Sequence, residues 1–417
     1  MAGTGEELIT LTIDVTEAAD TVHGDCAPAF AEVARAFAEN FRDGSQTGAG
    51  VSVYHRGREV VSLWGGVADQ ATGRPWRRDT LAVLASPTKS VAAGALYVLL
   101  ERGVVELDAP IARYWPQFAA EGKGAITLRM LLAQQTGVVA LDHAPITYER
   151  LRTGRPVVEA LAAARPEWEP GTAHGYHAMT FGHILSEVVL RTTGRTVGEF
   201  LAEEIAGPLG LDCWIGLPET ELPRLATMLP SQAEFLMEGA GEGPDAGDLT
   251  ELLTALGNPE SLTFRATIGS MSFDADTGDD AKRVRLENAS YDGVANAPSL
   301  ARYFAALIGE VDGVRLAGPA LVDEIRRVHA DGRCRTMLLP TTWGLGMMLP
   351  DGPLYPASAG PAGSFGLAGA TGSFACAVPE QELAFAYVPN GGSRVIDRLD
   401  PRARRVAEAV HRSAARL

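Results

Sequence analysis

Basic residues are the first shortage in this chain. Its 417 residues carry 36 Lys and Arg against 52 Asp and Glu, a formal net charge of −16. That sign argues against nucleic acid as a partner and favours solubility. Cysteine is scarce as well: Cys26, Cys213, Cys334 and Cys376 are widely scattered and form no CxxC pair. Free thiols in a reducing compartment are the simplest reading. No apolar run approaches the roughly 20 residues needed to cross a bilayer, so no membrane contact is expected. The opening MAGTGEELITLTIDVTEAAD has neither a basic n-region nor an uninterrupted apolar core, which argues against a secretory leader and for a cytoplasmic location. No GxGxxG follows a strand pattern and no GxSxG occurs. Nucleotide-cofactor and α/β-hydrolase readings therefore both fail.

What is present is a large apolar fraction, 46%, in a chain long enough for one large or two medium domains. Residues 1–22 are acidic and weakly patterned, a strand-like arm or a loose end. Phe30, Val33, Phe37 and Phe41 recur at helical spacing within Cys26–Phe41. GVSVYHRGREVVSLWGG alternates around a His-Arg-Gly turn, and FACAV and LAFAYV flank PEQE, so both stretches read as β-hairpins. From Ser86 to about Leu211 the pattern is mainly helical, and a last helix is expected over Arg402–Leu417. EGAGEGPDAGD (Glu238–Asp248) reads as an exposed loop.

The most informative stretch is Ser86-Pro87-Thr88-Lys89, at the entrance to the apolar run VAAGALYVLL. Positions i and i+3 of a helix share a face, so the hydroxyl and the amine can reach each other. A proline suits the first helical turn. An alcohol is a weak nucleophile at neutral pH, and a desolvated amine can take its proton. A serine before an apolar helix is also a common cap, and a lysine on a helix commonly lies solvated with its stem along the surface.

Several blocks decide between these readings. In order they are WGG at Trp64–Gly66, the Ser86–Lys89 motif, ITLRMLLAQQTGV, WEPGTAHGYHAMTFGHILSEVV around Tyr176, EIAGPLGLD ending at Asp212, and FGLAGATGSFACAVPEQELAFAYVPN. Together, from about Val51 to Ala409, they resemble the serine β-lactamase and penicillin-binding-protein superfamily, specifically its esterase branch, the family VIII carboxylesterases. The resemblance implies an α/β (α+β), β-lactamase-like fold. Its antiparallel sheet, from about 23–80 and 290–417, is flanked by the terminal helices. A mainly helical region, about 86–260, is inserted, and the active site falls at the seam, where pockets commonly form. The match is poorest over Glu251–Ala295, where such families vary their substrate walls.

The resemblance also implies roles. Ser86 would be the acyl-accepting nucleophile, Lys89 its buried proton acceptor, and Tyr176 a partner in the same proton network. The strand carrying Lys-Thr-Gly or His-x-Gly in relatives reads Leu367-Ala368-Gly369 here. That departure removes a cationic or polar side chain, while Gly369 admits a close backbone approach. The amides of Ser86 and Ala370 would form the oxyanion hole. Ala178 stands where β-lactamases often place an asparagine, which weakens amide recognition. Trp343, in TTWGLGMML, would line the cleft or the core, and His177 would border the substrate.

His174, His177 and His183 lack an acidic or cysteine partner at metal-binding spacing, so no metal or other cofactor is expected. DADTGDD (Asp274–Asp280) lacks the terminal glutamate of a calcium loop and reads as an acidic surface loop. The expected partner is a small-molecule ester or acyl substrate, cleaved by a serine carboxylesterase through an acyl-enzyme. Three alternatives stay open: an acyltransferase in secondary-metabolite biosynthesis using the same intermediate, a β-lactamase or D-amino-peptidase, and a catalytically idle scaffold.

Overall fold

The structure, a computed structural model, describes residues 9–14, 21–141, 147–229, 246–270 and 280–417. Its strands are β1 (Ile9–Asp14), β2 (Thr21–Cys26), β3 (Gly48–His55), β4 (Arg58–Asp69), β5 (Arg74–Pro75), β6 (Ala82–Val83), β7 (Cys213–Trp214), β8 (Val294–Ala295), β9 (Thr342–Trp343), β10 (Met348–Leu349), β11 (Phe365–Ala368), β12 (Phe374–Val378) and β13 (Leu383–Pro389). The main sheet runs β1-β2-β4-β3-β13-β12-β11-β10-β9, with β5 beside β4, and a small sheet runs β6-β8-β7. The two hairpins join where β3 pairs antiparallel with β13, Val53 opposite Phe385. This junction closes the two ends of the chain into one sheet.

Alternation along LAFAYVP explains the layers. Leu383, Phe385 and Tyr387 point to one face, where they pack with Phe37 and Val410 of the helices Ala31–Arg42 and Pro401–Ala414. Phe37 meets Tyr387 edge-on at 6.2 Å between ring centroids. Ala384, Ala386 and Val388 point to the other face, in the core that holds the helix Ala297–Ile308. Small side chains there let a helix lie close to the sheet.

Beyond that helix lies the helical region. The helix Pro87–Glu101 is buried from Pro87 through Leu99, packed in the same core as Thr180–Thr193. A helix apolar on every side belongs inside a large core, which explains why VAAGALYVLL shows no amphipathic stripe.

Some expectations need adjusting. Ile9–Asp14 is an edge strand paired with Thr21–Cys26, so part of the expected arm belongs to the sheet. The last helix ends at Ala414. Ala246–Asp248, expected in a loop, open the helix Ala246–Leu256, because LTELLTAL buries Leu249 and Leu252. The rest of Glu238–Asp248 and all of the acidic Asp274–Asp280 stretch except Asp280 lie outside the described residues. Among the described residues no helix is long and apolar enough to cross a membrane.

Candidate active site

Between β6 and the helix Pro87–Glu101 the chain turns through Ala85, whose φ of 54° is in the left-handed region. That conformation is costly for a residue with a Cβ and tends to mark functional turns. Ser86 follows at the helix N-cap with Pro87 in the first turn. Its side chain makes no capping bond; its Oγ instead accepts a 2.6 Å hydrogen bond from the Tyr176 hydroxyl. The turn is clamped from two sides. Leu84 N donates to Gly293 O at 2.8 Å, and Ser373 Oγ donates to Leu84 O at 2.6 Å. Gly369 makes the second clamp possible, since a Cβ there would sit 2.5 Å from Leu84 O and 2.9 Å from Pro87 Cδ. Its close approach is therefore to the turn that carries Ser86.

Lys89 lies one turn along, 1% exposed. Its Nζ donates to Ala178 O at 2.8 Å and Ser290 O at 2.7 Å and lies 4.7 Å from the Tyr176 ring centroid. Among the described residues no carboxylate bonds it. Burial lowers its pKa to about 7, because desolvation penalises the charged form. The Ser290 carbonyl reaches Lys89 because its turn presses onto the helix Thr180–Thr193 at Gly182, where a Cβ would stand 2.3 Å from Ala289 C and Ser290 N. Asp292, bonded to Arg283 at 2.6 Å and Asn288 at 2.9 Å, fixes the same turn.

Tyr176 is nearly buried, and that burial pushes its hydroxyl pKa well above the ordinary tyrosine value; the bond to Ser86 opposes the shift without cancelling it. The hydroxyl is thus a proton donor at rest. Trp343 stacks on its ring at 5.7 Å and 18°, while Cys334 Sγ accepts from its main-chain N at 3.2 Å and Thr336 Oγ1 donates to its O at 3.0 Å.

The structure decides between cleft and core for Trp343 and overturns the expectation for His177. Trp343 is fully buried and does not line the cavity; its indole N–H is engaged by Thr341 Oγ1 at 3.1 Å, so it backs Tyr176. His177 is buried too, its Nδ1 donating to Gly175 O at 2.7 Å and its Nε2 accepting from Thr136 Oγ1 at 2.5 Å. Desolvation lowers its pKa to about 3. It braces the tyrosine loop and does not touch the cavity. His174 bonds Thr341, and among the described residues no three His, Cys, Asp or Glu side chains gather as metal ligands would.

Ser86 and Tyr176 open onto a cavity of about 410 Å³ whose walls are mostly apolar. Leu367, Gly369 and Ala370 line it together with Met179, Tyr291, Met337 and Leu354. Leu252, Leu256, Thr263, Thr267 and Ile268 add a wall from the 246–270 segment. Sequence reasoning missed these last five individually, although the weak resemblance of Glu251–Ala295 marked that region as variable. It also missed the two carbonyls around Lys89, which no side-chain pattern encodes, and Arg398, which lines the cavity near Asp400.

The sequence model of the Beta-lactamase family matches residues 33–409. The chain belongs to that family. Among its β-lactamase-family relatives is the esterase/beta-lactamase LipL of Mycobacterium tuberculosis, 33% identical over 388 residues, covering 90% of this chain and 85% of LipL. A penicillin-binding-protein homolog from Caulobacter crescentus superposes with a TM-score of 0.80 at 34% identity, covering 94% of this chain and 99% of that one. A family VIII carboxylesterase structure superposes with a TM-score of 0.80 at 33% identity and the same coverages. This kinship makes the chain a β-lactamase-family serine hydrolase with esterase relatives.

Proposed function

We propose that this protein is a serine carboxylesterase that cleaves small, largely apolar esters through an acyl-enzyme on Ser86. The observation that carries the reading is the 2.6 Å bond from the Tyr176 hydroxyl to Ser86 Oγ. With Tyr176 donating, the serine's own proton is directed away from the tyrosine. Lys89, with a pKa of about 7, is the acceptor one helical turn away. Ser86 Oγ bonds to the ester carbonyl carbon while its proton passes to Lys89. The oxyanion faces the amides of Ser86 and Ala370, neither of which donates to a main-chain carbonyl among the described residues. Collapse breaks the carbon–oxygen bond to the alcohol, which takes a proton from Tyr176, and Tyr176 is reprotonated from Lys89. Water then repeats the sequence and releases the acid. None of these steps draws on a metal or an organic cofactor.

The substrate class follows from the walls. Leu367 offers no hydrogen bond beside the reacting carbonyl, and an anion pressed against it would lose solvation without compensation. Relatives described as esterases support an ester as the bond that is cleaved. Intact-mass measurement after exposure to a panel of esters, and after a fluorophosphonate probe, tests the reading. The native protein is expected to gain one acyl or phosphonyl mass, and Ser86→Ala none. Labelling that persists in Ser86→Ala would place the nucleophile elsewhere.

A further inference from the structure

Tyr291 lines the catalytic cavity together with Ser86 and Tyr176, yet no step proposed for the reaction uses it. It belongs to the same turn that presents the Ser290 carbonyl to Lys89. That turn is firmly held. Tyr291 N donates to Asn288 O at 3.2 Å, Asn288 Nδ2 donates to Asp292 at 2.9 Å, and Arg283 reaches Asp292 at 2.6 Å. The Arg283 guanidinium also lies 5.8 Å from the centroid of the Tyr291 ring. The ring is therefore fixed through both its main chain and its face.

Its hydroxyl differs from others on the cavity wall. Thr336 Oγ1 donates to Tyr176 O at 3.0 Å, Thr267 Oγ1 to Thr263 O at 2.6 Å, Ser373 Oγ to Leu84 O at 2.6 Å and Ser393 Oγ to Val395 O at 2.8 Å. The Tyr291 hydroxyl makes no hydrogen bond to a described residue. Burial raises its pKa above the ordinary tyrosine value, with Arg283 opposing in part, so it keeps its proton and can donate. It is near enough to Tyr176 for a charge on one ring to be felt by the other. A fixed donor without an internal acceptor, in a mostly apolar cavity beside the reacting groups, is suited to an acceptor on the ligand.

We infer that the Tyr291 hydroxyl donates a hydrogen bond to the substrate, so that the preferred ester is neutral and carries a second acceptor oxygen, an ether or a ketone carbonyl, close to the scissile bond. The inference rests on the acyl-enzyme reading above and adds a recognition element to its substrate. It is compatible with Leu367, which bars charge beside the reacting centre and leaves room for an uncharged oxygen. An all-carbon isostere would leave the hydroxyl unpaired in the complex, and sites with a buried donor reject such analogues.

The test uses isosteric esters in which one methylene is replaced by an ether oxygen. On the acyl side the pair is 4-nitrophenyl hexanoate and 4-nitrophenyl propoxyacetate; on the alcohol side it is hexyl acetate and 2-propoxyethyl acetate. The readout is the ratio of kcat/KM, ether over methylene, in the native protein and in Tyr291→Phe. Dividing one ratio by the other cancels any intrinsic activation of the ester by the ether oxygen. The native ratio is expected to exceed the Tyr291→Phe ratio about fivefold in at least one pair, the scale of one neutral hydrogen bond. The change should fall on KM, because the ether oxygen takes no part in the bond changes. Which pair responds shows whether the acyl or the alcohol part meets Tyr291. Equal ratios in both pairs overturn the inference. So does a loss of kcat shared by all four esters, which would put Tyr291 in the proton network. The thermal midpoint of Tyr291→Phe should stay within about a degree of the native value; a larger fall would reveal an internal partner for the hydroxyl and overturn the inference as well. Failure of the acyl-enzyme reading would show separately, as turnover by Ser86→Ala.

Discussion

The two walls of the catalytic cavity are built on different principles. On the reaction wall, Ser86, Lys89 and Tyr176 are held by buried bonds between segments far apart in sequence, such as Lys89 to Ser290 O at 2.7 Å. Leaving any of these groups unpaired would cost about 1–3 kcal/mol, more for the charged amine. On the cap wall, Leu252, Leu256 and Ile268 present apolar surface only, and their segment is tied down by Arg333 to Glu251 and Arg265 to Glu167, both at 2.5 Å. The Arg333 pair is about half exposed on each side, and exposed ion pairs contribute ~0–1 kcal/mol. On the proposed mechanism the first wall cannot change without losing the chemistry. The other can exchange one aliphatic side chain for another at small cost, and that is where substrate choice can drift.

The largest expected break in this contrast is Ser86→Ala. It should reduce ester turnover by several orders of magnitude, since no covalent route remains. Ser86 makes no capping bond, but the substitution removes the acceptor of the Tyr176 hydroxyl, so the thermal midpoint should fall by about a few degrees and no more. Residual activity above a tenth of native would remove Ser86 from the mechanism.

Next come Lys89→Met and Tyr176→Phe. Each should be severe, and the double variant little worse than the poorer single, because residues acting as one unit are strongly non-additive. The native kcat/KM should rise with pH through about 7 and then level. Below that value Lys89 holds its proton and cannot accept another; above it the amine is neutral. Tyr176, pushed upward by burial, adds no second limb near neutrality. A flat profile from pH 5 to 9, with chemistry rate-limiting, would take Lys89 out of the acceptor role.

Leu367→His should act more modestly and selectively. It places a donor beside the reacting centre, so penicillin turnover should gain on neutral ester turnover by about tenfold, the scale of one such bond to an anion. Efficient penicillin hydrolysis by the native protein would show that Leu367 does not bar the carboxylate.

The smallest effects belong to the cap. Burying one methylene is worth about 0.8 kcal/mol, roughly fourfold. Native selectivity should climb by up to that factor per methylene from acetyl to hexanoyl esters. Leu252→Ala and Leu256→Ala should flatten the climb while leaving acetyl ester kcat within about twofold. An equal loss on short and long esters would mean that these leucines support the reaction wall instead.

Much of the fold was legible because its signals are local. The alternation in GVSVYHRGREVV and LAFAYV, the unbroken apolar run after Lys89, and the glycine at Gly369 are each set by periodicity or by one missing Cβ. Trp343 was left open between cleft and core, and His177 was misassigned, because a place in a motif says nothing about which side of it a ring occupies. Stacking and paired ring nitrogens put both behind Tyr176.

By itself the sequence determined the candidate side chains for the proposed acyl chemistry and the elements they ride on: Ser86 and Lys89 one helical turn apart, Tyr176 ahead of an apolar helix, and Leu367 on a strand before Gly369. Only the tertiary structure decided how those groups are tuned. The Ala178 and Ser290 carbonyls that hold Lys89 are main-chain groups, the same at every residue and so invisible to any residue pattern. The burial that lowers its pKa is a sum over neighbours brought together from distant parts of the chain. Arg398 likewise lines the cavity only because the segment ahead of the last helix folds back beside the strand that carries Leu367. Reactivity and selectivity depend on distances in space, and chain order constrains those only within a turn or two.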